Sequence, residues 1–283
     1  MARRHCRFGN PGTLAEMRKV NSNAEEQQLS EERLDREASF HDQRFEDDQA
    51  RASVGKFYAV TATSKSFYHE LIRLAAKPGS RVLEYGCGSG GLSLELSSPD
   101  REVHAIDLSR TGLRAARRQL HSQHRGLRVS HVAMNAERLG YGDGHFDVVF
   151  GSGILHHLDL RGGIGEVARV LKPSGQGIFF EPLGHNVLIN LYRRLTPQMR
   201  TADEHPLVSA DLGVIAEVFE EVEVGYFHFL SLAAVVVRGT GLFSPLLRVL
   251  AWVDRALFLV PWIRRQAWIV VICARRPKGK VRA

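Results

Sequence analysis

Two groups of residues in this chain have types and spacing that could do chemistry. The first is the run Arg81 to Gly91, where Gly86, Gly88, Gly90 and Gly91 follow the apolar pair Val82-Leu83 and the acid Glu84. A segment with helical spacing comes next (Leu92, Leu94, Leu96). Strand, glycine turn and helix in that order let a backbone approach a nucleotide closely. Glycine removes the Cβ that would hold the ligand off and permits positive φ. The second group is His156 and His157, just past the apolar run Phe146 to Phe150. A histidine with a pKa near neutrality can take a proton from an attacking hydroxyl.

These residues need elements to position them. Charged residues of alternating sign (Glu31, Glu32, Arg33, Asp35, Arg36, Glu37) predict a solvated helix between Ser30 and Ala50. The apolar positions Phe67, Leu71 and Leu74 predict the buried face of a helix over Lys65 to Ala76. Strands are predicted at the run Val82-Leu83 ending in Glu84, and at Glu102 to Ile106, Arg128 to Met134, Phe146 to Phe150 and Gly177 to Phe180. Helices follow at Ser109 to Gln123, with Ser109 as cap, and at Ile164 to Leu171. The alternation implies an α/β fold, a mostly parallel sheet covered by helices on both faces, with its ligand at the carboxyl ends of the strands. Past residue 183 the pattern loosens to a helix at Asp211 to Phe219 and strands at Val222 to Phe229 and Trp268 to Ala274. A basic tail closes the chain. Between those strands Leu242 to Trp262 is apolar nearly all round, with Ser244, Arg248, Ala251 and Arg255 forming one narrow polar stripe. Such a helix is expected in the core.

Composition narrows the classes. With 283 residues, 44% of them hydrophobic and 24% charged, the chain can bury a sizeable core. A net charge of +7 is moderate, and no nucleic-acid-binding module accompanies it, which speaks against nucleic acid as partner. Cys6, Cys87 and Cys273 are too few and too scattered for a disulfide framework or a zinc site, so a reducing cytoplasmic compartment fits. No metal centre is expected either: His121, His124 and His131 lack an acid or Cys to complete a set and read as surface residues. Met-Ala-Arg-Arg at the N-terminus leads into no apolar run, and residues 1 to 30 read as a disordered tail, with Met17 as an alternative start.

The glycine turn with Asp107 after the second strand also fits a nicotinamide dinucleotide site. Glu84 argues against that, because a pyrophosphate repels a carboxylate and a cationic amino group does not. Asn135-Ala136 after the third strand, the run Phe146 to Leu158 and the turn Leu171-Lys172-Pro173-Ser174-Gly175 complete an ordered set. In that order and spacing the chain resembles the class I S-adenosylmethionine-dependent methyltransferases over about residues 65 to 182. The resemblance implies a Rossmann-like seven-stranded sheet whose last strand is antiparallel. It divides the chain into a helical lid segment (31–64), a cofactor-binding core (65–182), a C-terminal part with a substrate-shaping helical insertion (183–275) and the tail. It implies S-adenosylmethionine as cofactor. Glu84, Gly86 and Gly88 would face its methionine part, Asp107 with Leu108 its ribose, Asn135 and Ala136 its adenine. Gly151 would approach the methionine moiety through its backbone, and Tyr58 would close over the whole, or simply pack in the core.

The acceptor is the harder question. Gly151-Ser152-Gly153-Ile154 stands where many nitrogen methyltransferases carry a Pro-Pro-aromatic signature, and no Cys is placed for attack on cytosine. Related bacterial small-molecule enzymes suggest His156 as general base, supported by the acid after the fifth strand, here Glu181. The expectation is methyl transfer to oxygen on a small, lipophilic acceptor. The rivals are a carbon methyltransferase on a lipid or quinone-like ring, an RNA methyltransferase and a cofactor-binding protein without turnover. His185, Asn186, Asp203, Glu204 and His205 come from the region that would shape the acceptor pocket. The segment 242–265, with Arg264, Arg265 and the tail beside it, could also rest peripherally on a membrane.

Overall fold

The structure, a computed structural model, describes residues 29, 31–43, 59–123, 128–195 and 205–279. Among them seven strands form one sheet: β1 Arg81–Tyr85, β2 Glu102–Asp107, β3 Ser130–Ala133, β4 Phe146–Ser152, β5 Leu171–Pro182, β6 Phe219–Phe227 and β7 Ile269–Pro277. Their order is β3-β2-β1-β4-β5-β7-β6. The first five pair in parallel, and β7 runs antiparallel between β5 and β6. This is the Rossmann-like sheet that the alternating pattern predicts. The helices are α1 (described over residues 31–43), α2 Ala62–Ala75, α3 Leu92–Leu96, α4 Arg110–Gln123, α5 Leu160–Val170, α6 Val187–Leu195, α7 Ser209–Val218 and α8 Phe243–Leu257. Short 3₁₀ segments lie at Leu155–His157, Leu230–Val237 and Ile263–Gln266.

Successive strand residues alternate between two cores, as a doubly covered sheet requires. Leu83, Val149, Phe179 and Ile272 pack with Ile164 and Val167 of α5 and Ile215 of α7. Val82, Phe150, Ile178 and Val271 pack with Tyr68 and Ile72 of α2. Burying each large side chain contributes about 2–3 kcal/mol. Side-chain caps fix where the helices begin. Ser109 Oγ accepts from Gly112 N at 2.9 Å for α4, and Asp159 Oδ2 accepts from Gly162 N at 3.0 Å for α5. Asn186 Oδ1 accepts from Ile189 N at 2.9 Å for α6.

Five expectations change. The buried face of α2 is Ser64, Tyr68 and Ile72, whereas Phe67 and Leu74 are exposed. Both stripes have helical spacing, and the sheet takes the one whose tyrosine meets Phe180. Second, β5 starts at Leu171, because Leu171 pairs with Phe146 before a register shift admits the Lys172 to Gly175 excursion. Third, His131 is buried rather than on the surface, and His124 lies outside the described residues. Fourth, Leu242 to Trp262 is no core helix. Only Leu247 and Asp254 of α8 are buried, while Leu242, Val249, Trp252, Leu259 and Trp262 are exposed. The start of the basic tail is also strand: Arg275 and Arg276 belong to β7 and pair with Glu223, Glu220 and Glu221 of β6.

Candidate active site

The carboxyl ends of β1, β2, β4 and β5 meet around the glycine turn. Gly86, Gly88 and Gly90 all take positive φ (78°, 53° and 108°). A Cβ on Gly86 would lie 2.5 Å from Ile154 Cδ1, and one on Gly91 would lie 2.3 Å from Glu84 Oε1. A side chain is therefore excluded at Gly86 by both φ and space, and at Gly91 by space. Gly151 is constrained in the same way, since a Cβ there would meet the Tyr85 carbonyl at 2.7 Å.

Glu84 is buried beneath this turn and caps α3. Its two oxygens accept from Leu92 N at 3.1 Å and Ser93 N at 3.2 Å. Each oxygen keeps capacity for a second donor. Burial pushes its carboxyl up to about 7, and the charge of Asp107 adds to the rise. Asp107 accepts from Gly88 N at 2.7 Å and Ser109 N at 2.8 Å, which ties the glycine turn to the start of α4. Its pKa is also raised by burial. Leu108 beside it is half-buried. Asn135 turns its Oδ1 back onto Glu137 N at 2.8 Å, so its amide nitrogen is the group left to face outward. Ala136 is buried, and its carbonyl accepts from Tyr85 Oη at 2.6 Å. Tyr58 lies outside the described residues.

On the other side of Gly151, His156 Nδ1 lies 2.7 Å from Glu181 Oε2. Glu181 is fully buried at the end of β5, and its Oε1 accepts from both Ile154 N and Leu155 N at 2.9 Å. One carboxylate thus sets the 3₁₀ turn and the imidazole riding on it. The His156 carbonyl accepts from His205 N at 3.0 Å, which brings the acceptor-side segment onto the same turn. His185 Nε2 accepts from Ser209 N at 3.1 Å, and Asn186 Nδ2 donates to the Gln266 carbonyl at 2.6 Å. Both are spent on structure. Asp203 and Glu204 lie outside the described residues.

Helix α1 falls within the predicted Ser30 to Ala50 helix, but the sequence reading missed its contacts. Its charges are not merely solvated. Arg33 bonds Glu137 at 2.6 Å and the His157 carbonyl at 2.9 Å. Asp42 Oδ1 accepts from Thr111 N at 3.1 Å and from Ser109 Oγ, at the start of α4. Glu37 is buried, with Oε2 3.2 Å from His157 Nδ1 and 3.4 Å from His41 Nε2. Burial holds the His157 pKa below the usual histidine value. The available signal was spacing: Arg33, Glu37 and His41 recur every fourth residue and share one face.

Residues 82–175 match the family model described as a methyltransferase domain. A ubiquinone biosynthesis O-methyltransferase of Paraburkholderia xenovorans (strain LB400) is 36% identical over 115 residues, covering 40% of this chain and 49% of the relative. Its counterpart in Burkholderia thailandensis is 35% identical over 111 residues, covering 39% and 47%. The chain spans about half the length of the curated relatives it matches. Among solved structures, phosphoethanolamine N-methyltransferase 2 of Haemonchus contortus superposes with a TM-score of 0.54 at 18% identity, covering 80% of this chain and 57% of the other. Geranyl diphosphate C-methyltransferase of Streptomyces coelicolor A3(2) gives 0.52 at 15% identity, covering 75% and 79%. Their acceptors differ, so what is shared with these structures is the fold. The segment 82–175 is a methyltransferase domain, and the sheet that carries it is that of the class I S-adenosylmethionine-dependent methyltransferases.

Proposed function

We propose that this protein moves a methyl group from S-adenosylmethionine to an oxygen of a small, lipophilic acceptor. The cofactor reading rests on the chemistry of the donor set. A buried carboxylate, Glu84, and a half-buried one, Asp107, line a turn whose glycines leave no room for a Cβ at Gly86 and Gly91. That turn suits an ammonium group and ribose hydroxyls and repels a pyrophosphate. Glu84 and the Gly86 and Gly88 backbone would hold the methionine part, Asp107 and Leu108 the ribose, Asn135 and Ala136 the adenine, and Gly151 the approach to the methyl. When bound, the cofactor supplies an electrophilic methyl on a sulfonium centre.

The His156 to Glu181 contact at 2.7 Å carries the oxygen reading. With Nδ1 on a buried carboxylate, the imidazole holds one tautomer and offers Nε2 as proton acceptor. Glu181 is a positioning residue that also stabilises the imidazolium formed when the hydroxyl is deprotonated. The apolar character of the acceptor, and peripheral contact with a membrane through 242–265, rest on the exposed Trp252, Leu259 and Trp262 beside the exposed Arg248, Arg255 and Arg265. No helix among the described residues is long and apolar enough to cross a membrane.

The test is single-turnover transfer of labelled methyl to a panel of phenolic lipids. His156→Ala should slow the step by about 10²–10⁴-fold while cofactor affinity holds. An unchanged rate removes the base, and a label found on carbon removes the oxygen acceptor.

A further inference from the structure

The cluster on α1 has the makings of a site that methyl transfer does not use. Glu37 and His41 sit one helical turn apart on the face of α1 turned to the core, and His157 comes from the turn after β4. Their ligand atoms, Glu37 Oε2, His41 Nε2 and His157 Nδ1, all lie within 4.8 Å of one another. The two distances to the carboxylate are 3.4 and 3.2 Å. Ligands bound at about 2.0–2.1 Å on a tetrahedral ion stand about 3.3 Å apart, so the carboxylate is already at ligand spacing from both imidazoles. The side chains of Glu37, His157 and His41 are 5%, 12% and 24% exposed, which shields the spot from bulk water.

We propose that Glu37, His41 and His157 bind a divalent first-row transition cation of the zinc type and clasp α1 to the end of β4. Two imidazoles and one carboxylate are a borderline N/O donor set, which suits Zn²⁺ or Co²⁺ over Mg²⁺ or Ca²⁺. The three ligands leave one coordination position for water. The site adjoins the His156 ring, whose centroid is 4.2 Å from that of His157, so the clasp fixes the far side of the proposed base. Arg33 and Asp42 anchor α1 on either side of it, and the helix therefore stays docked without the ion. The inference stands apart from the choice of acceptor.

The test uses the full, tag-free chain, stripped with chelator and titrated with Co²⁺, then with Zn²⁺. One equivalent of Co²⁺ should bind and give tetrahedral d–d absorption that Zn²⁺ displaces. Glu37→Gln and His41→Gln should each weaken binding by at least about 100-fold, with circular dichroism and melting in chelator like the parent. His145→Ala removes one member of the other grouping with ligand spacing, Glu102, His104 and His145, and should leave binding unchanged. Zn²⁺ should also slow amide exchange across residues 31–43 in the parent and not in His41→Gln. Substoichiometric uptake by the parent, or equal uptake by His41→Gln and Glu37→Gln, overturns the proposal.

Discussion

Residues 81–182 and residues 183–268 use buried carboxylates in the same way and surfaces in opposite ways. In the first region Glu84 caps α3, and Glu181 gathers Ile154 N, Leu155 N and His156 Nδ1. In the second, Asp254 accepts from Phe229, Leu230 and Ser231 N at 3.0, 2.7 and 3.1 Å. Each acid takes orphan donors out of the core. The apolar side chains then part company. No described residue of 81–182 is among the large hydrophobics left exposed, whereas Val187, Leu188, Leu191 and Leu195 of α6 and Leu242, Val249, Trp252, Leu259 and Trp262 around α8 all are. Between residues 230 and 267 the one acid is Asp254, and it is buried. The first region covers its apolar side chains. The second leaves many of its own uncovered, with the exposed Arg248, Arg255 and Arg265 in the same stretch.

The sharpest way to break this comparison is Glu181→Ala. It strands three donors in the interior and should cost about 3–5 kcal/mol in urea unfolding. A cost below about 1 kcal/mol would mean that water or a neighbour replaces the carboxylate. Next comes pH, where the two regions should respond with opposite sign. Burial raises the Glu84 carboxyl from its ordinary 4.5 to about 7, so its contribution to stability is present below 4.5 and lost as pH rises through 7. The loss is up to roughly 3 kcal/mol, and Glu84→Gln should remove that slope. Burial lowers His228 from its ordinary 6.5 to about 4, so its contribution is present above 6.5 and lost as pH falls through 4. His228→Asn, which tolerates the φ of 65° at this position, should flatten that acid limb. Like slopes in both variants would erase the contrast.

Within α2, Ile72→Ala should cost about 2–4 kcal/mol and Phe67→Ala under about 1 kcal/mol. A reversal would put the other stripe against the sheet. The smallest effect on folding belongs to the exposed face. Trp252→Ala, at a side chain 71% exposed, should change stability by less than about 0.5 kcal/mol while weakening sedimentation with anionic vesicles several-fold. Unaltered vesicle binding would detach this face from lipid.

Much of the first region was legible in the sequence because there chemistry and fold constrain the same residues. Gly86, Gly88 and Asp107 carry a turn that few residue types can make, and β1, β4 and β5 are apolar runs bounded by punctuation. Even the His156 and Glu181 contact follows from two strand ends being neighbours. What sequence periodicity does not decide is which of two adjacent stripes faces inward. In α2 the Phe67 stripe and the Tyr68 stripe differ by one residue, and only packing against Phe180 separates them. The same limit hid the exposure of α8, since an all-apolar helix reads alike whether it faces a core or a lipid surface. In α1 the alternating charges masked Glu37 and His41, whose partner His157 lies more than a hundred residues away.

The position of β7 has a consequence for the order in which this molecule is assembled. Residues 269–277 fill the slot between β5 and β6 and bond to both. Until they leave the ribosome, β5 ends the nascent sheet with one edge open, and β6 has no strand to pair with. The apolar α8 is made during that interval, from residues that are still largely uncovered afterwards. A chain stalled before residue 269 would expose a strand edge and a sticky helix together, the combination that chaperones bind and aggregates grow from.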